Sequence, residues 1–371
     1  MPSNITAYEW PLSGTIHIAY ETGDEHIHEM SIGRKGTWRD DDITRVTGAP
    51  ELEDAILSGA SWQDGHTQQI AYASAMNDNG HIYELVMYQD HPWSLEDPML
   101  QPIDAAPADG FALVAYEWKG AGTKQLVYSG RDGHIHELSA GVTGLWRHTD
   151  LTEATGAPLA DNSLLAAYAW EGDHKKQVVY VGGDGHIHEL MSGVDGPWRH
   201  TDLMAETGAP LAGDAALIGY AWEYGKTKQV VYTSNDGDVY ELVCGLDSGW
   251  SFADLTSLTG APLAVGSALA AFAWETGFSK QVVYVGGNHH LFELHTPLQS
   301  SWKHTDLTQL LGLVESSHDV LAAHEWTPEF AKHIAYLDTA ENPHIHSLIL
   351  KHGEDWKHAD VTSLTGAQPI V

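Results

Sequence analysis

Leu164-Leu165-Ala166-Ala167-Tyr168-Ala169-Trp170-Glu171, a turn, Gln177-Val178-Val179-Tyr180-Val181, a second turn at Gly182-Gly183-Asp184-Gly185, His186-Ile187-His188-Glu189-Leu190, a third turn, Trp198-Arg199-His200-Thr201-Asp202-Leu203, then Thr207-Gly208-Ala209-Pro210. This stretch is one copy of a unit that occurs seven times. All 14 tryptophans fall on two of its positions. The first set is Trp10, Trp62, Trp118, Trp170, Trp222, Trp274 and Trp326, and the second is Trp38, Trp93, Trp146, Trp198, Trp250, Trp302 and Trp356. Ten residues after each first-set Trp stands a tyrosine: Tyr20, Tyr72, Tyr128, Tyr180, Tyr232, Tyr284 and Tyr336. Chance does not place three aromatic positions seven times, so the period is real.

Each unit holds four short runs rich in Val, Ile, Tyr, Trp and Thr between turn residues, and a helical period is nearly absent. Asp-Gly before His134 and His186, and Asn-Gly before His81, signal tight hairpins between the second and third runs. A four-stranded antiparallel unit of about 50 residues, repeated between four and eight times, describes a β-propeller. The expected fold is therefore all-β, a seven-bladed propeller forming a single domain over 1–371. Its blades lie near 6–50, 58–107, 112–158, 164–210, 216–262, 268–314 and 320–369. Small residues such as Ala166, Ala167, Ala270 and Ala271 suit the crowded strand nearest the axis, so the first run is expected innermost. The alternative, with Gln-Val-Val-Tyr innermost, would have the N-terminal strand complete the last blade.

Composition narrows function. With 51 acidic and 18 basic residues, the formal charge of −33 repels phosphate backbones and anionic lipid. No nucleic-acid partner and no membrane insertion are expected; no apolar run approaches the roughly 18 residues of a membrane helix. One cysteine, Cys244, forms no internal disulfide. The first ten residues lack a basic region followed by an apolar run, so the expectation is cytoplasmic synthesis without a signal peptide, with any release by a non-classical route.

Strand direction puts both Trp sets toward the same end of the propeller. The first set, after an Ala-rich apolar run, reads as filling between blades. The second set follows turns such as Gly196-Pro197-Trp198, where an exposed indole offers a flat face to the apolar side of a sugar ring. Trp38, Trp93, Trp146, Trp198, Trp250, Trp302 and Trp356 are therefore the candidate sugar-binding residues, and weak platforms repeated on one ring gain affinity by multivalency. The recurring tyrosine reads as core. The recurring Glu29, Glu84, Glu137, Glu189, Glu241 and Glu293 either order the following turn or bind hydroxyls, and blade seven has Ser347 there. Blade two, with Ala60 and Asp104-Ala105-Ala106-Pro107, and blade six, ending Leu310-Leu311-Gly312-Leu313, also depart, so any sites on blades two, six and seven are expected to be weakened.

Three blades carry histidine trios: His134, His136 and His148; His186, His188 and His200; His344, His346 and His358. His-x-His on one strand face with a third His on the next strand is a zinc-like pattern. Tyr83, Tyr240 and Phe292 replace the second His elsewhere, so a metal in every blade is ruled out and the histidines read as strand-surface aromatics. No metal and no cofactor are expected, with His134, His136 and His148 the nearest approach to a metal site. No Gly-x-Ser-x-Gly, phosphate-cradling loop or His-Glu-x-x-His occurs, and the polar residues repeat with the blades, so an enzyme is not expected.

The motifs at 176–180, 184–190, 198–203 and 207–210 resemble the PLL-type bacterial lectins over essentially the whole chain. That family consists of seven-bladed β-propellers that bind L-fucose and O-methylated sugars and is associated with insect-pathogenic bacteria. The resemblance implies several metal-free sugar sites per chain, fucosylated or O-methylated glycans as partners, and a homo-oligomer. The residues it carries over are the second Trp of each blade. The competing reading of the repeat is a propeller used as a protein-interaction platform.

Overall fold

The structure, a computed structural model, describes residues 5–51, 53–76, 79–101, 103–194, 196–368 and 370. Met1 to Asn4, at the start of the stretch read for a signal peptide, and position 369, at the end of blade seven, lie outside the described residues. Seven four-stranded antiparallel sheets follow one another, each with strands in the order A-B-C-D, which in the first blade are Ile5–Trp10, Thr15–Glu21, Ile27–Gly33 and Arg39–Asp42. The sheets run over 5–42, 56–96, 108–150, 160–202, 217–254, 264–306 and 316–360. Every sheet is made from one continuous stretch, so the N-terminal strand Ile5–Trp10 pairs with Thr15–Glu21 of its own blade and completes no other. Strand A is innermost: residues from strand A or just before it in all seven blades, including Thr6, Ile56, Phe111, Leu165, Leu217, Leu269 and Leu321, line an axial channel of about 320 Å³.

Crowding at the axis explains the small residues there. A Cβ on Gly59 would lie 2.3 Å from the Tyr8 ring, and one on Gly219 would lie 2.5 Å from the Tyr168 ring. The aromatic two residues before the first-set Trp thus packs on the next blade. The recurring tyrosine of strand B is core as expected, with all seven copies 0 % exposed. Five of these hydroxyls reach back to the preceding blade: Tyr72, Tyr180, Tyr232 and Tyr284 donate to the carbonyls of Pro50, Pro158, Pro210 and Pro262, and Tyr128 to that of Ala106. That bond gives the Thr-Gly-Ala-Pro turn a structural purpose.

The near absence of helical period concealed six five-residue helices among the described residues, one after strand D in every blade but the second. An aspartate caps each N-terminus, as Asp202 does by accepting from the Ala205 amide at 2.9 Å, and a glycine closes each C-terminus with φ of 64–70°. A helix of little more than one turn is too short for a periodicity to register. The local signal was the Asp-to-Gly spacing, as in Asp202 and Gly208. Blade two keeps only a 3₁₀ turn at Pro98–Leu100 under Asp97.

Carboxylates clasp one blade to the next. In the loop after the first-set Trp, backbone N–H groups donate to a Glu beside the following blade's Trp: Lys119 and Gly120 to Glu171, Glu171 and Gly172 to Glu223, Glu223 and Tyr224 to Glu275, Glu275 and Thr276 to Glu325. Gln63 donates likewise to Glu117, and Thr327 to Glu9 across the ring closure. Between blades one and two the clasp is absent. Pro11 has no N–H there and Ser61 replaces the acid; Gly59 N–H donates to Thr6 Oγ1 instead.

Burial pushes the Glu9 carboxyl up to about 7, against the bonds from Thr327. A carboxyl raised in the folded state gives stability that is present below its unfolded pKa of about 4.5 and is lost as pH rises through 7. Against a Glu9→Gln reference, the wild type is expected to gain thermal stability as pH falls from 8 to 5; paired melting curves check this, and a gap that does not change with pH refutes it.

Candidate functional site

At the end of the ring holding the first-set tryptophans, the junctions two/three, three/four, five/six, six/seven and seven/one each bring together one Trp of each set. The two sets meet across the junction: the first-set Trp belongs to one blade, the second-set Trp to the next. Between them rises a lysine of strand B. The Lys176 ammonium lies 5.0 Å from the Trp118 ring centroid and 5.0 Å from that of Trp198. Lys332 holds the same position between Trp274 and Trp356 at 5.0 Å from each, Lys124 between Trp62 and Trp146, and Lys280 between Trp222 and Trp302. Lys228 lies 4.9 Å from Trp250. Two electron-rich indole faces suit an ammonium that has little water around it.

The same lysines settle the role of the recurring glutamate, which neither orders a turn nor faces solvent. Glu84, Glu137, Glu189, Glu241 and Glu293 are 0–4 % exposed and pair at 2.5 Å with Lys124, Lys176, Lys228, Lys280 and Lys332 of the next blade. Burial raises the carboxyls of Glu84, Glu137 and Glu241 against the pull of the lysine. These lysines stand four residues before the recurring tyrosine in five copies, so their period is legible, but their partner is not; Lys176 and Glu137 are 39 residues apart.

Two junctions differ. Between blades one and two, Gln68 replaces the lysine, and Glu29 accepts from the Tyr8 hydroxyl at 2.7 Å and lies 3.0 Å from His17 Nδ1. Between blades seven and one both partners change together: Ile16 stands for the lysine and Ser347 for the glutamate. Ile16 is buried with Trp326 and Ala331, with Ile32, Trp38 and Ile349 packed around it. Ser347 Oγ lies 2.9 Å from His333 Nε2.

The first-set tryptophans are 2–8 % exposed and fill the junctions as expected. Their indole N–H groups have no protein partner in any blade. Of the second set, Trp146 is buried and Trp38, Trp93, Trp198, Trp250, Trp302 and Trp356 are half-buried. The junction of blades two and three opens as a cleft of about 430 Å³ lined by Trp62, Asp64, Gly65, Lys124, Val142 and Trp146, among others. Val142 stands four residues before Trp146 on the rim and is 71 % exposed. Val194, Leu246 and Leu298 hold the same position before Trp198, Trp250 and Trp302 and are also exposed. Sequence reasoning had not singled out these aliphatic positions.

The histidine trios lie at the opposite end. His134 Nδ1 sits 2.7 Å from Asp150, the helix cap, whereas His136 lies between His148 at 3.0 Å and Asp132 at 3.1 Å. His134, His136 and His148 therefore do not aim at one point. His186 with Asp202, and His188 with His200 and Asp184, repeat the pattern, as do His344, His346 and His358 with Asp360 and Asp338. The second histidine is no surface aromatic: His136 and His188 are each 1 % exposed against Tyr128 and Tyr180. Among the described residues, Asp132, His136 and Asp150, or Asp184, His186 and Asp202, or Asp24, His26 and His28, bring one ligand atom each within 4.8 Å of one another and are the groups that could hold a cation. In blades three and four these donors already bond to one another. Burial and the neighbouring imidazole hold His148 and His200 below the usual histidine range. At Asp360, burial raises the carboxyl, but the Ser363 amide, His344 and the Ser363 hydroxyl outweigh it and hold it at about 2.

No protein-family model matches the chain, and no curated protein matches it. Among solved structures it is similar to the BP39L lectin of Burkholderia pseudomallei, with a TM-score of 0.75 and 14 % identity over 96 % of this chain and 98 % of that one. It is also similar to the fucose-specific lectin of Aleuria aurantia, at TM-score 0.54 and 18 % identity over 82 % of this chain and 94 % of that one. The SapL1 lectin in complex with alpha methyl fucoside matches at TM-score 0.54 and 14 % identity over 81 % and 94 %. The likeness is one of fold, and the seven-bladed propeller implied by the resemblance of the repeat is the fold found.

The buried ion pair invites a direct test. Glu137→Gln leaves the Lys176 ammonium buried without its counter-charge and is expected to cost about 3–5 kcal/mol. Lys176→Ile combined with Glu137→Ser copies the Ile16 and Ser347 junction and is expected to cost well under the sum of the two single changes. Denaturant midpoints measure both; a strictly additive double variant would show that the pair does not act as a unit.

Proposed function

We propose that the chain is a non-enzymatic, multivalent lectin that takes fucosylated or O-methylated glycans in the clefts between blades. The observation that carries this reading is the recurrence, around the ring, of the residues that line the cleft between blades two and three. A half-buried or buried second-set Trp, an exposed aliphatic side chain four residues before it, and a buried Lys–Glu pair recur at one end of the ring. A deoxy or O-methylated sugar has both an apolar face for an indole and a methyl group for Val142, Val194, Leu246 or Leu298. Its hydroxyls need donors and acceptors, which the cleft holds at Asp64, Gln101 and Lys124. Trp38, Trp93, Trp146, Trp198, Trp250, Trp302 and Trp356 are the proposed stacking residues, subject to the difference between junctions argued below. The fucose-specific lectin of Aleuria aurantia and the SapL1 lectin in complex with alpha methyl fucoside, which share the fold, favour the same chemistry.

No metal is required by this reading. Among the described residues no helix is long and apolar enough to cross a membrane, which fits a protein acting on glycans from solution. Several clefts on one rigid ring convert weak monosaccharide binding into strong attachment to a glycan-covered surface, and self-association into a homo-oligomer would multiply it. Release from the producing cell by a non-classical route belongs to the same proposal.

Titration with methyl α-L-fucoside and with O-methylated monosaccharides, followed by tryptophan fluorescence and calorimetry, tests it. Binding at millimolar concentration with a change in indole emission is expected. Trp198→Ala is expected to weaken the site it lines by roughly tenfold, about 1.4 kcal/mol, while leaving the other clefts intact. A folded protein that binds neither sugar class at millimolar concentration refutes the reading and leaves the protein-interaction platform.

A further inference from the structure

The two walls of each cleft come from different blades, and numbering fixes which residues face each other across its mouth. One wall is the loop after the first-set Trp, where Gly65 stands three residues beyond Trp62 and just before His66, a residue with φ of 55°. The other is the loop before the second-set Trp, where Val142 stands four residues before Trp146. At the closure of the ring the corresponding residues are Glu329, three beyond Trp326 and just before Phe330 with φ of 54°, and Arg34, four before Trp38.

These two residues are joined. Arg34 Nε lies 3.0 Å from Glu329 Oε1, and Arg34 Nη2 donates to the Pro328 carbonyl at 2.8 Å; Pro328 is the counterpart of Asp64 on the open wall. Lys351 pairs with the other oxygen of Glu329, and its ammonium lies 5.9 Å from the Trp326 ring centroid. The remaining junctions place Ser13 and Gln89, Gly65 and Val142, Ala121 and Val194, Asp173 and Leu246, Gly225 and Leu298, and Gly277 and His352 at these positions. None is an acid facing a base. Behind the bridge the floor is also altered, since Ile16 fills the place of the lysine between Trp326 and Trp38.

We infer that the Arg34–Glu329–Lys351 bridge is a strap that shuts the cleft between blades seven and one, so that the seventh junction closes the ring and takes no ligand. The binding face is then an arc of clefts that leaves out Trp38. This inference rests on the reading of the other clefts as sugar sites. A bidentate guanidinium grip on one wall, with a second cation behind the shared carboxylate, leaves the mouth spanned by charge in place of the exposed aliphatic rim. It also secures the one junction whose two blades are not consecutive in the chain.

Crystals of the intact protein soaked in methyl α-L-fucoside test this directly, because all seven junctions are compared in one experiment. Sugar is expected against Trp146, Trp198, Trp250 and Trp302 and not against Trp38. Sugar on Trp38 overturns the inference while leaving the lectin reading in place; sugar in no cleft overturns both. The second arm uses Arg34→Ala at an exposed position, with fold checked by circular dichroism. Its calorimetric stoichiometry is expected to equal that of the wild type or to exceed it by one. A stoichiometry lower by one would mean that Arg34 belongs to a working site, and the strap would be refuted.

Discussion

Blades two to seven are each joined to a neighbour by a buried pair of opposite charges. Glu137 of one sheet is buried against Lys176 of the next, and the same pair recurs at five junctions of the ring. Neither member is stable at such burial without the other, because an isolated ion in a dry interface costs several kcal/mol. The pair is therefore weak evidence for net stability and strong evidence for register. A blade displaced along its neighbour would strand both charges, so the ion pair selects one docking among the several that flat apolar sheets would permit. The carboxylate clasps and the tyrosine hydroxyls on the Pro carbonyls add further bonds that satisfy backbone groups of the adjoining blade.

Because stability is shared between blades, departures from the repeat come in matched pairs. Ile16 answers Ser347, so neither a lysine nor a glutamate is left buried alone. Pro11 answers Ser61, since a loop with one N–H fewer meets no acid opposite it. Gln68 coincides with the turning of Glu29 toward Tyr8 and His17. Read blade by blade, Ser347 looks like decay of one copy; read across the junction, it is half of an apolar substitute for a salt bridge. The unit of accounting in this ring is the junction, not the blade.

That distinction also explains what the sequence disclosed. The count of blades, the inner position of the Ala-rich strand and the burial of Trp170 and Tyr180 were legible, because each follows from a pattern inside one copy. The role of Glu189 was not, since its partner Lys228 lies 39 residues on and belongs to the next copy, where no local periodicity points back to it. His-Ile-His was legible as a pattern and misread as surface: the first histidine holds a helix-capping aspartate, and the second is buried on the strand B tyrosine. The short helices escaped for the same reason as other one-turn elements, that capping chemistry and not periodicity defines them.

The cleft and the junction share their side chains, and this limits what each cleft can do alone. One indole face of Trp198 is already turned to the Lys176 ammonium, so a sugar bound as proposed would have only the face or edge that remains half-exposed. The lysine in turn is committed to Glu137 and to two aromatic rings, and it has little freedom to reorganise around a ligand. A site of this kind is preformed, which lowers the entropy cost of binding, but it offers few uncommitted donors, which limits the enthalpy gained. Strong binding to a glycan surface would then have to come from repetition of the cleft around a rigid ring, and a rigid ring is what the interlocked charges provide.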